Sequence, residues 1–397
     1  MRSVEEALDA ILASARLTAA ESQPLDRCAG RVAAEHRIVA AADVPPFDNS
    51  SMDGFALRAA DAPGSLRLAG EVAAGAGALP TVEAGTAVRI MTGAPMPPGA
   101  DTVAPLEIVA ETDGAVWVPT VEMGAYVRRA GHDTRAGETI DLPSEPMSPG
   151  TLAVLASLGI AELAVRCRPR VAILSTGDEL RAPGEPLAPG QIYDANSVAL
   201  AAAVTEGGGE AAVLPRVADD PDRIESVVRD AVTDADLLVA SGGVSVGRHD
   251  HVRDVIQRLG QLDFWRIRMQ PGKPLAFGSV GAVPVIGLPG NPVSALVTFE
   301  LFARPLIRRM LGLSGSGRLT LPVVACEPMP KDTERRAYLR VRLQRGADGL
   351  EARSAGGQAS SQLRPLADAN ALLIVPEGEP AAEAGRTYAA LVLGAIA

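Results

Sequence analysis

The sequence predicts a multidomain α/β plus β protein, in which one doubly wound α/β domain stands between two small β domains. The chain of 397 residues is too long for a single hydrophobic core. Strand and helix patterns alternate over residues 170–312, which is typical of a parallel sheet covered by helices. Short apolar runs separated by glycine and proline turns occupy residues 67–118 and 319–397, which indicates small β structures.

The composition, with 47% hydrophobic and 21% charged residues, is that of an ordinary soluble globular protein. No apolar run approaches about 18 residues, so we expect no membrane span. The acidic, amphipathic N-terminus resembles neither a signal peptide nor a transit peptide, and we therefore expect a cytoplasmic protein. A net charge of −11, without a cluster of basic and aromatic residues, argues against a nucleic-acid partner.

Cysteine spacing excludes two further classes of protein. The three cysteines lie far apart and form no CxxC pair, so the sequence encodes neither a disulfide framework nor a zinc knuckle; they are Cys28, Cys167 and Cys326.

The chain begins with a predicted helix. Ser3 and Glu6 form a capping-box pattern, and apolar residues at helical spacing follow at Val4, Leu8, Ile11 and Leu12. This helix is expected to pack against another element or subunit. Next, residues 44–61 (VPPFDNSSMDGFALRAAD) are rich in turn formers and carboxylates, and by composition alone they favour a loop that joins domains.

The small β domain at residues 67–118 should contain strands near 66–72, 87–91, 102–108 and 115–118. Within it, Thr92 follows a strand and precedes a glycine, and a structural turn explains this pattern as well as a site would. The stretch RRAGHD at 128–133 combines two guanidinium groups with a carboxylate. Its interpretation stays open between a salt-bridged loop and an active-site segment. Ser148 and Pro149 should then begin a helix that ends at Gly159.

In the predicted α/β domain, three strands end in loops that carry small and polar residues. These loops have the sequences STGDE at 175–179, SGG at 241–243 and LPGNPVS at 288–294. Ligands of such sheets bind at the carboxyl ends of the strands. Asn291 is a predicted helix N-cap with Pro292 at the first position, and Pro305 should break the helix that follows. Asp220 should cap another helix, with Pro221 at its first position.

One lysine stands out among the basic residues. Of 37 lysines and arginines, only Lys273 and Lys331 are lysine, and Lys273 lies in the rigid turn QPGKP. A compact ammonium group on a fixed backbone is suited to an oxyanion. Together with hydroxyl groups, guanidinium groups and helix N-termini, it indicates a site for tetrahedral anions, while the loop carboxylates suit Mg²⁺.

Eight stretches, in order, resemble the molybdopterin molybdenumtransferase family (MoeA and the gephyrin E domain). They are PPFDNSSMDGFALRAAD, RIMTGAPMPPGADTV, RRAGHDTRAG, RVAILSTGDEL, GQIYDANS, SGGVSVGRHD, MQPGKPLAFG and GLPGNPVSA. The resemblance covers nearly the whole chain. It implies a Mg²⁺-dependent enzyme that binds adenylated molybdopterin and molybdate, hydrolyses the phosphoanhydride, leaves molybdenum on the dithiolene and releases AMP.

The resemblance also implies four domains. Residues 1–46 with 137–168 would form an elongated linking and dimerisation domain, and residues 47–136 a small β domain that completes the partner's active site in a homodimer. Residues 169–316 would form a MogA-like, molybdopterin-binding α/β domain, and residues 317–397 a C-terminal β-barrel. Molybdopterin adenylyltransferase and the molybdoenzymes that accept the cofactor are further expected partners.

The family's functional residues can be carried over motif by motif. The implied catalytic set is Asp53, Thr92, Asp133, Glu179 and Asp250, and Glu179 with Asp250 would also bind the metal. The implied binding residues for the pterin nucleotide and its phosphates are Ser175, Thr176, Gly177, Asp220, Ser241, Gly242, Gly243, Ser245, Pro289, Gly290 and Asn291. The implied molybdate residues are Lys273, Ser294, Arg336 and either Ser360 or Ser361.

Two positions depart from the family pattern. Gln270 stands where many relatives have a second basic residue, which would leave molybdate with one positive charge fewer. Arg248 stands where an acidic residue is usual beside the glycine loop. Two other functions stay open from the sequence: the molybdopterin adenylyltransferase of the same pathway, against which the flanking β domains argue, and a non-catalytic, gephyrin-like dimeric scaffold.

Overall fold

The computed structural model describes residues 1–217, 220–242, 251–315, 317–347 and 349–396. The chain divides into two compact units: the larger consists of Met1–Glu21 and Val165–Ala397, and the smaller of Ser22–Ala164. The strands Ala20–Pro24 and Glu162–Arg166 run across the points of division. Among the described residues, no helix combines the length and low polarity needed to cross a bilayer.

The smaller unit is built on a six-stranded sheet with an apolar cluster on each face. In spatial order its strands are Thr102–Pro105, Gly54–Leu57, Thr86–Ile90, Gly64–Val72, Ala115–Val118 and Ala110–Thr112. The expected β domain is therefore present. The expectation of a loop over residues 44–61 was wrong in part, because Gly54–Leu57 is a fully buried strand that pairs with a strand on each side.

Short elements complete the smaller unit. Two-stranded antiparallel pairs join Asn49–Ser50 to Val127–Arg128 and Arg37–Val39 to Thr139–Asp141. Its helical elements are the 3₁₀ turns Leu25–Arg27, Ala59–Asp61 and Leu106–Ile108 and the α-helix Pro149–Ser157. As predicted, Ser148 caps that helix, and Gly159 follows its end with a positive φ.

The larger unit contains a six-stranded sheet covered on both faces. Its strands, in spatial order, are Glu210–Val213, Arg170–Ser175, Leu237–Ser241, Val283–Leu288, Pro274–Val280 and Gln261–Arg266. Alternate residues of the central strands enter two separate apolar clusters, so the sheet is doubly wound as predicted. The shorter strand pair Leu180–Arg181 and Ile192–Tyr193 lies outside this sheet.

The expectation of an all-parallel sheet was wrong. The first four strands are parallel, but Pro274–Val280 and Gln261–Arg266 are antiparallel to their neighbours. Only Gly281 and Ala282 separate Pro274–Val280 from Val283–Leu288. A connection that short permits only a hairpin, because a parallel crossover needs a dozen residues or more.

The helices of the larger unit pack around this sheet. They are Val4–Leu12, Ala195–Glu206, Pro221–Ala231, His251–Leu259, Pro292–Thr298 and Arg304–Met310, while the short helix Arg364–Asp368 contacts the C-terminal strand Arg336–Gly346 instead. The Ser3–Glu6 capping box is present, and Val4, Ala7 and Ile11 enter the main core. Pro305 interrupts its helix as expected: the π-helical segment Phe299–Ala303 precedes it.

The C-terminal part of the larger unit is a closed five-stranded β-barrel. Its strands are Thr320–Ala325, Arg336–Gly346, Gly349–Ser354, Ala371–Val375 and Thr387–Val392, and every one pairs with two others. Met329–Pro330 pairs with Ala381–Ala382, and Met269–Gln270 adds to Arg336–Gly346 from outside. Tyr338, Leu372 and Leu391 leave the barrel interior and join the core of the α/β sheet.

Candidate functional site

The carboxyl ends of three parallel strands meet in the larger unit. The register pairs Ser175 with Ser241 and Ser241 with Leu288, so the three predicted loops begin side by side. Thr176 forms a further parallel bridge to Val217. This edge of the sheet is the position at which doubly wound folds bind ligands.

The backbone of the loop after Ser241 closely approaches the backbone of the loop after Ser175 at Gly242. Its φ is +80°, and a Cβ built there would lie 3.3 Å from the carbonyl oxygen of Thr176. A Cβ built at Gly290 would lie 3.8 Å from Gly242 Cα, so the third loop is adjacent as well. A side chain at Gly242 would be strained and crowded, which leaves its backbone exposed to a ligand. The predicted site residues Gly243, Ser245 and Asp250, and also Arg248, lie outside the described residues.

The third loop leads into the helix Pro292–Thr298. Asn291 is its N-cap by backbone conformation, but the Asn291 side chain makes no capping hydrogen bond. Its Nδ2 instead donates to Ser360 Oγ at 3.2 Å. Ser294 lies buried in the first turn. Two of the residues that the resemblance assigns to molybdate, Ser294 and Ser360, are therefore grouped around one helix start.

The Lys273 turn packs against the same helix. Gly272 has φ +97°, and a Cβ there would lie 2.4 Å from Thr298 Oγ1. The Lys273 carbonyl accepts a 2.8 Å hydrogen bond from Ile267 N, while its side chain is exposed. Among the described residues, no carboxylate forms an ion pair with this ammonium group. The positive charge is thus free to meet an anion.

Gly272→Ala should displace this turn. The new methyl group would overlap Thr298 in a backbone conformation that L-residues avoid, so we expect a loss of about 2–3 kcal/mol in the free energy of unfolding and a weaker affinity for molybdate. Gly281→Ala is the matched control, because Gly281 also has a positive φ (+59°) but no neighbour within 4 Å of a Cβ. Equal losses in the two variants, measured by denaturant unfolding, would refute the packing argument.

A buried arginine shapes the loop that carries Ser360. Arg340 is 1% exposed, and its Nη2 donates to the carbonyl oxygens of Gly357 (2.7 Å) and Ala359 (3.2 Å). Gln358 closes the loop by bonding the backbone N and O of Arg340. Burial lowers the pKa of Arg340. Its Nε and Nη1 have no hydrogen-bond partner within the part of the chain that the structure describes.

Arg336 and Ser361 gain less support as molybdate residues. The Arg336 guanidinium forms ion pairs with Glu5 and Glu377, so it would bind an oxyanion only by giving up one of them. Burial opposes its charge, but the hydrogen bond to Glu5 raises its pKa overall. Ser361 is exposed next to Ser360.

The predicted carboxylates of this unit have different surroundings. Asp220 caps Pro221–Ala231 as expected, and its Oδ1 accepts from the backbone N of Asp222 and Arg223. Glu179 is exposed, and its carboxylate lies against Gly177, where a Cβ would be 2.5 Å from Oε2. Across the described ranges, no three His, Cys, Asp or Glu side chains cluster as metal ligands.

The smaller unit has polar clusters of its own. Asp53 Oδ1 accepts hydrogen bonds from Thr92 N (2.7 Å) and Thr92 Oγ1 (2.8 Å). These bonds hold the pKa of Asp53 below its usual range. Two residues that the resemblance assigns to one set are therefore in direct contact. Asp133 is exposed, with its backbone N bonded to Val44 O.

The sequence allows the stretch RRAGHD to be either a salt-bridged loop or an active-site segment. The structure shows that one of its arginines forms a salt bridge. Arg129 Nη1 donates to Asp48 Oδ2 at 2.6 Å, and Ala130 N donates to Asp48 Oδ1 at 2.8 Å. The Ala130 N–H and the Arg129 guanidinium lower the pKa of Asp48. Asp133, at the end of the same stretch, forms no such pair among the described residues.

Sequence reasoning missed two residues that organise the site. Asn196, in the stretch GQIYDANS, donates to both Ser241 Oγ and Gly290 O. Arg340 holds the Ser360 loop. The available signals were slight: a polar residue in the first turn of a helix, and one arginine among several in the strand Arg336–Gly346.

Comparisons with known proteins cover nearly the whole chain. Three family models match: MoeA N-terminal region (domain I and II) at residues 2–159, probable molybdopterin binding domain at 172–309 and MoeA C-terminal region (domain IV) at 322–393. Molybdopterin molybdenumtransferase 2 of Mycobacterium tuberculosis (strain H37Rv) is 39% identical over 394 residues, covering 95% of this chain and 96% of that protein. Molybdopterin molybdenumtransferase of Nostoc sp. is 37% identical, covering 88% and 84% respectively.

A solved structure agrees with the fold of the whole chain. The molybdopterin biosynthesis moeA protein from Pyrococcus horikosii superposes with a TM-score of 0.83 at 31% sequence identity, and covers 99% of both chains.

Proposed function

This chain belongs to the molybdopterin molybdenumtransferase family, and from that premise we propose that it transfers molybdenum from molybdate to adenylated molybdopterin with Mg²⁺, releasing AMP. Membership makes it an enzyme of molybdenum cofactor synthesis. The adenylated substrate, the metal, the site residues and the assembly belong to the proposal.

One observation carries the proposal: two sets of anion-binding groups lie against the helix Pro292–Thr298 and the loop before it in the larger unit. On one side Gly290 lies next to Gly242 and, through Asn196, next to Ser241. On the other side, Asn291 Nδ2 donates a hydrogen bond to Ser360 Oγ. The turn that carries Lys273 packs against the helix through Gly272. A substrate with a phosphoanhydride and a second, tetrahedral anion matches this pair of sites.

Each group has a defined task in the reaction. Ser241 Oγ and the backbone at Gly242 would hold the phosphates of the adenylated pterin. The Lys273 ammonium and the Ser360 hydroxyl would hold molybdate next to the dithiolene sulfurs. Because the proteins of this class do little covalent chemistry themselves, positioning and charge would supply most of the rate.

The residues present fit a Mg²⁺ ion that arrives with the substrate. Mg²⁺ commonly binds one or two carboxylates together with substrate phosphate oxygens. Glu179 is an exposed carboxylate after the strand Arg170–Ser175, and Asp250 is the second candidate by its motif. The ion would neutralise phosphate charge.

We further propose a cytoplasmic homodimer of the four predicted domains, in which Asp53, Thr92 and Asp133 of one subunit act at the partner's nucleotide site. The support for this is the exposed Asp53 carboxylate, which is ionised and accepts hydrogen bonds from Thr92. Among the described residues, no other side chain bonds this carboxylate. Molybdopterin adenylyltransferase would supply the substrate, and molybdoenzymes would receive the product. We propose no nucleic-acid partner, because a net charge of −11 would repel a phosphate backbone.

Asp53→Asn should lower molybdenum insertion at least about 10-fold, by a factor that does not change with pH. Since the Thr92 N–H keeps the pKa of Asp53 below the ordinary 3.8, the carboxylate stays ionised as the pH falls towards that value. The ratio of wild-type to variant rates should therefore be constant between about pH 5 and pH 8. A ratio that shrinks towards pH 5 would mean that Asp53 takes up a proton in this range.

Reconstitution tests the function itself. The purified protein, adenylated molybdopterin, molybdate and Mg²⁺ should yield AMP and a cofactor that activates an apo-molybdoenzyme, with both products dependent on molybdate. Formation of an AMP adduct from molybdopterin and MgATP would instead identify an adenylyltransferase. No reaction in either assay would favour a scaffold.

A further inference from the structure

The Asn196 side chain ties two of the site loops together. It lies in the first turn of Ala195–Glu206, which Asp194 caps. Its Nδ2 donates to Ser241 Oγ at 2.8 Å and to Gly290 O at 2.8 Å. One amide group therefore joins the end of the strand Leu237–Ser241 to the loop after Val283–Leu288.

The chemistry of Gly290 fixes the orientation of this amide. A backbone carbonyl can only accept a hydrogen bond, so the NH₂ group, and not the oxygen, must face it. Both amide protons are then used, and Ser241 Oγ is the acceptor of one. In this orientation Asn196 Oδ1 is buried without a hydrogen-bond partner among the described residues.

The Asn196 bond determines where the Ser241 hydroxyl proton can point. Because its oxygen accepts from Asn196, its own O–H must point elsewhere, and it donates to no acceptor in the described part of the chain. Ser175 differs. Ser197 Oγ contacts both Asp194 Oδ2 and Ser175 Oγ, and the carboxylate takes the single Ser197 proton. The Ser175 hydroxyl then donates its proton to Ser197 Oγ. Of the two serines, Ser175 and Ser241, only Ser241 therefore has a hydroxyl proton available to a ligand.

We propose that Asn196 is a positioning residue, which aims the Ser241 hydroxyl proton at a phosphate oxygen of the nucleotide substrate, with the bond to Gly290 O serving to hold the amide in this orientation. The inference rests on the proposed function for the nature of that substrate. Asn196 would act through Ser241, so its contribution should vanish when the Ser241 hydroxyl is absent.

A double-mutant cycle measures this dependence. AMP is the probe, and its affinity is measured by calorimetry for the wild type, Asn196→Ala, Ser241→Ala and the double variant. We expect each single change to weaken AMP about 5–10-fold and the double change to weaken it no more than about twice the larger single loss. A merely structural tie between loops would give independent losses, about 25–100-fold in the double variant.

Ser175→Ala is the matched control, because the Ser175 proton is already turned inward. Its effect should combine with that of Asn196→Ala as an independent loss. Independent losses for Ser241, wild-type affinity in Asn196→Ala, or no AMP binding by the wild-type protein would each overturn the inference.

This outcome is separable from the proposed function. A wild-type protein that shows the coupled losses but inserts no molybdenum would overturn the proposed reaction and leave the role of Asn196 intact. A protein that inserts molybdenum but shows independent losses would overturn only the role of Asn196.

Discussion

Lys273→Ala is expected to lower kcat/KM for molybdate in molybdenum insertion at least about 100-fold and to change the free energy of unfolding by less than about 0.5 kcal/mol. The side chain is exposed and, among the described residues, has no ion-pair partner, so its loss breaks no internal contact. Its backbone, which accepts from Ile267 N, is unaffected. The loss should therefore fall on the affinity for molybdate, measured as the KM in the reconstituted reaction.

The other lysine provides the control. Lys331 Nζ donates to the carbonyl oxygens of Asp332 (3.0 Å) and Arg335 (2.7 Å), and burial lowers its pKa. Lys331→Ala should therefore lower stability and leave insertion near the wild-type rate. Lys273→Arg should keep part of the activity, since the charge remains but a wider, planar group replaces the ammonium. A fully active Lys273→Ala would remove Lys273 from the site.

Arg318→Met is expected to cost about 3–5 kcal/mol in the free energy of unfolding of the larger unit. The Arg318 side chain is 11% exposed and forms paired hydrogen bonds with Glu206 and Glu300, and its Nη1 also reaches Leu393 O. Burial alone would lower the pKa of Arg318, but the bonds to Glu300 and Glu206 raise it. Removing the guanidinium would leave the buried Glu300 carboxylate with only the longer contact to Arg304, at 3.7 Å.

The two tryptophans allow this effect to be measured in one unit. Trp117 lies in the smaller unit and Trp265 in the larger, so a Trp117→Phe background leaves Trp265 fluorescence as a reporter of the larger unit during urea unfolding. The control is Arg353→Met, whose pair with Glu351 is exposed and should be worth less than about 1 kcal/mol. Similar costs for the two variants would show that the Arg318 network adds no more than a surface pair.

Local signals in the sequence predicted the fold where a few adjacent residues determine the outcome. The Ser3–Glu6 capping box, the Ser148 and Asp220 caps and the break before Pro305 are of this kind. Gly54–Leu57 is different, because its neighbours in the sheet come from residues 86–90 and 102–105. Local composition cannot report pairing over such separations, and so this turn-rich stretch looked like a loop.

The same limit applies to the site. Motifs at strand ends correctly predicted that the loops at Ser175, Ser241 and Leu288 would begin side by side, because parallel strands share one carboxyl edge. The burial of Arg340 could not be predicted, since its side chain bonds Gly357 and Ala359, which are 17 and 19 residues away in sequence. Nor could the pairing of Arg336 with Glu5, 331 residues away in sequence.

The central claim is that the Lys273 turn and the Ser360 loop, which both contact the helix Pro292–Thr298 or its N-cap, together bind the metal oxyanion. The most direct test is a crystal soaked in molybdate, with data collected at the molybdenum absorption edge. The account predicts one strong anomalous peak within about 4 Å of both Lys273 Nζ and Ser360 Oγ. A peak elsewhere, or none at this position at a molybdate concentration that saturates the enzyme, would contradict it.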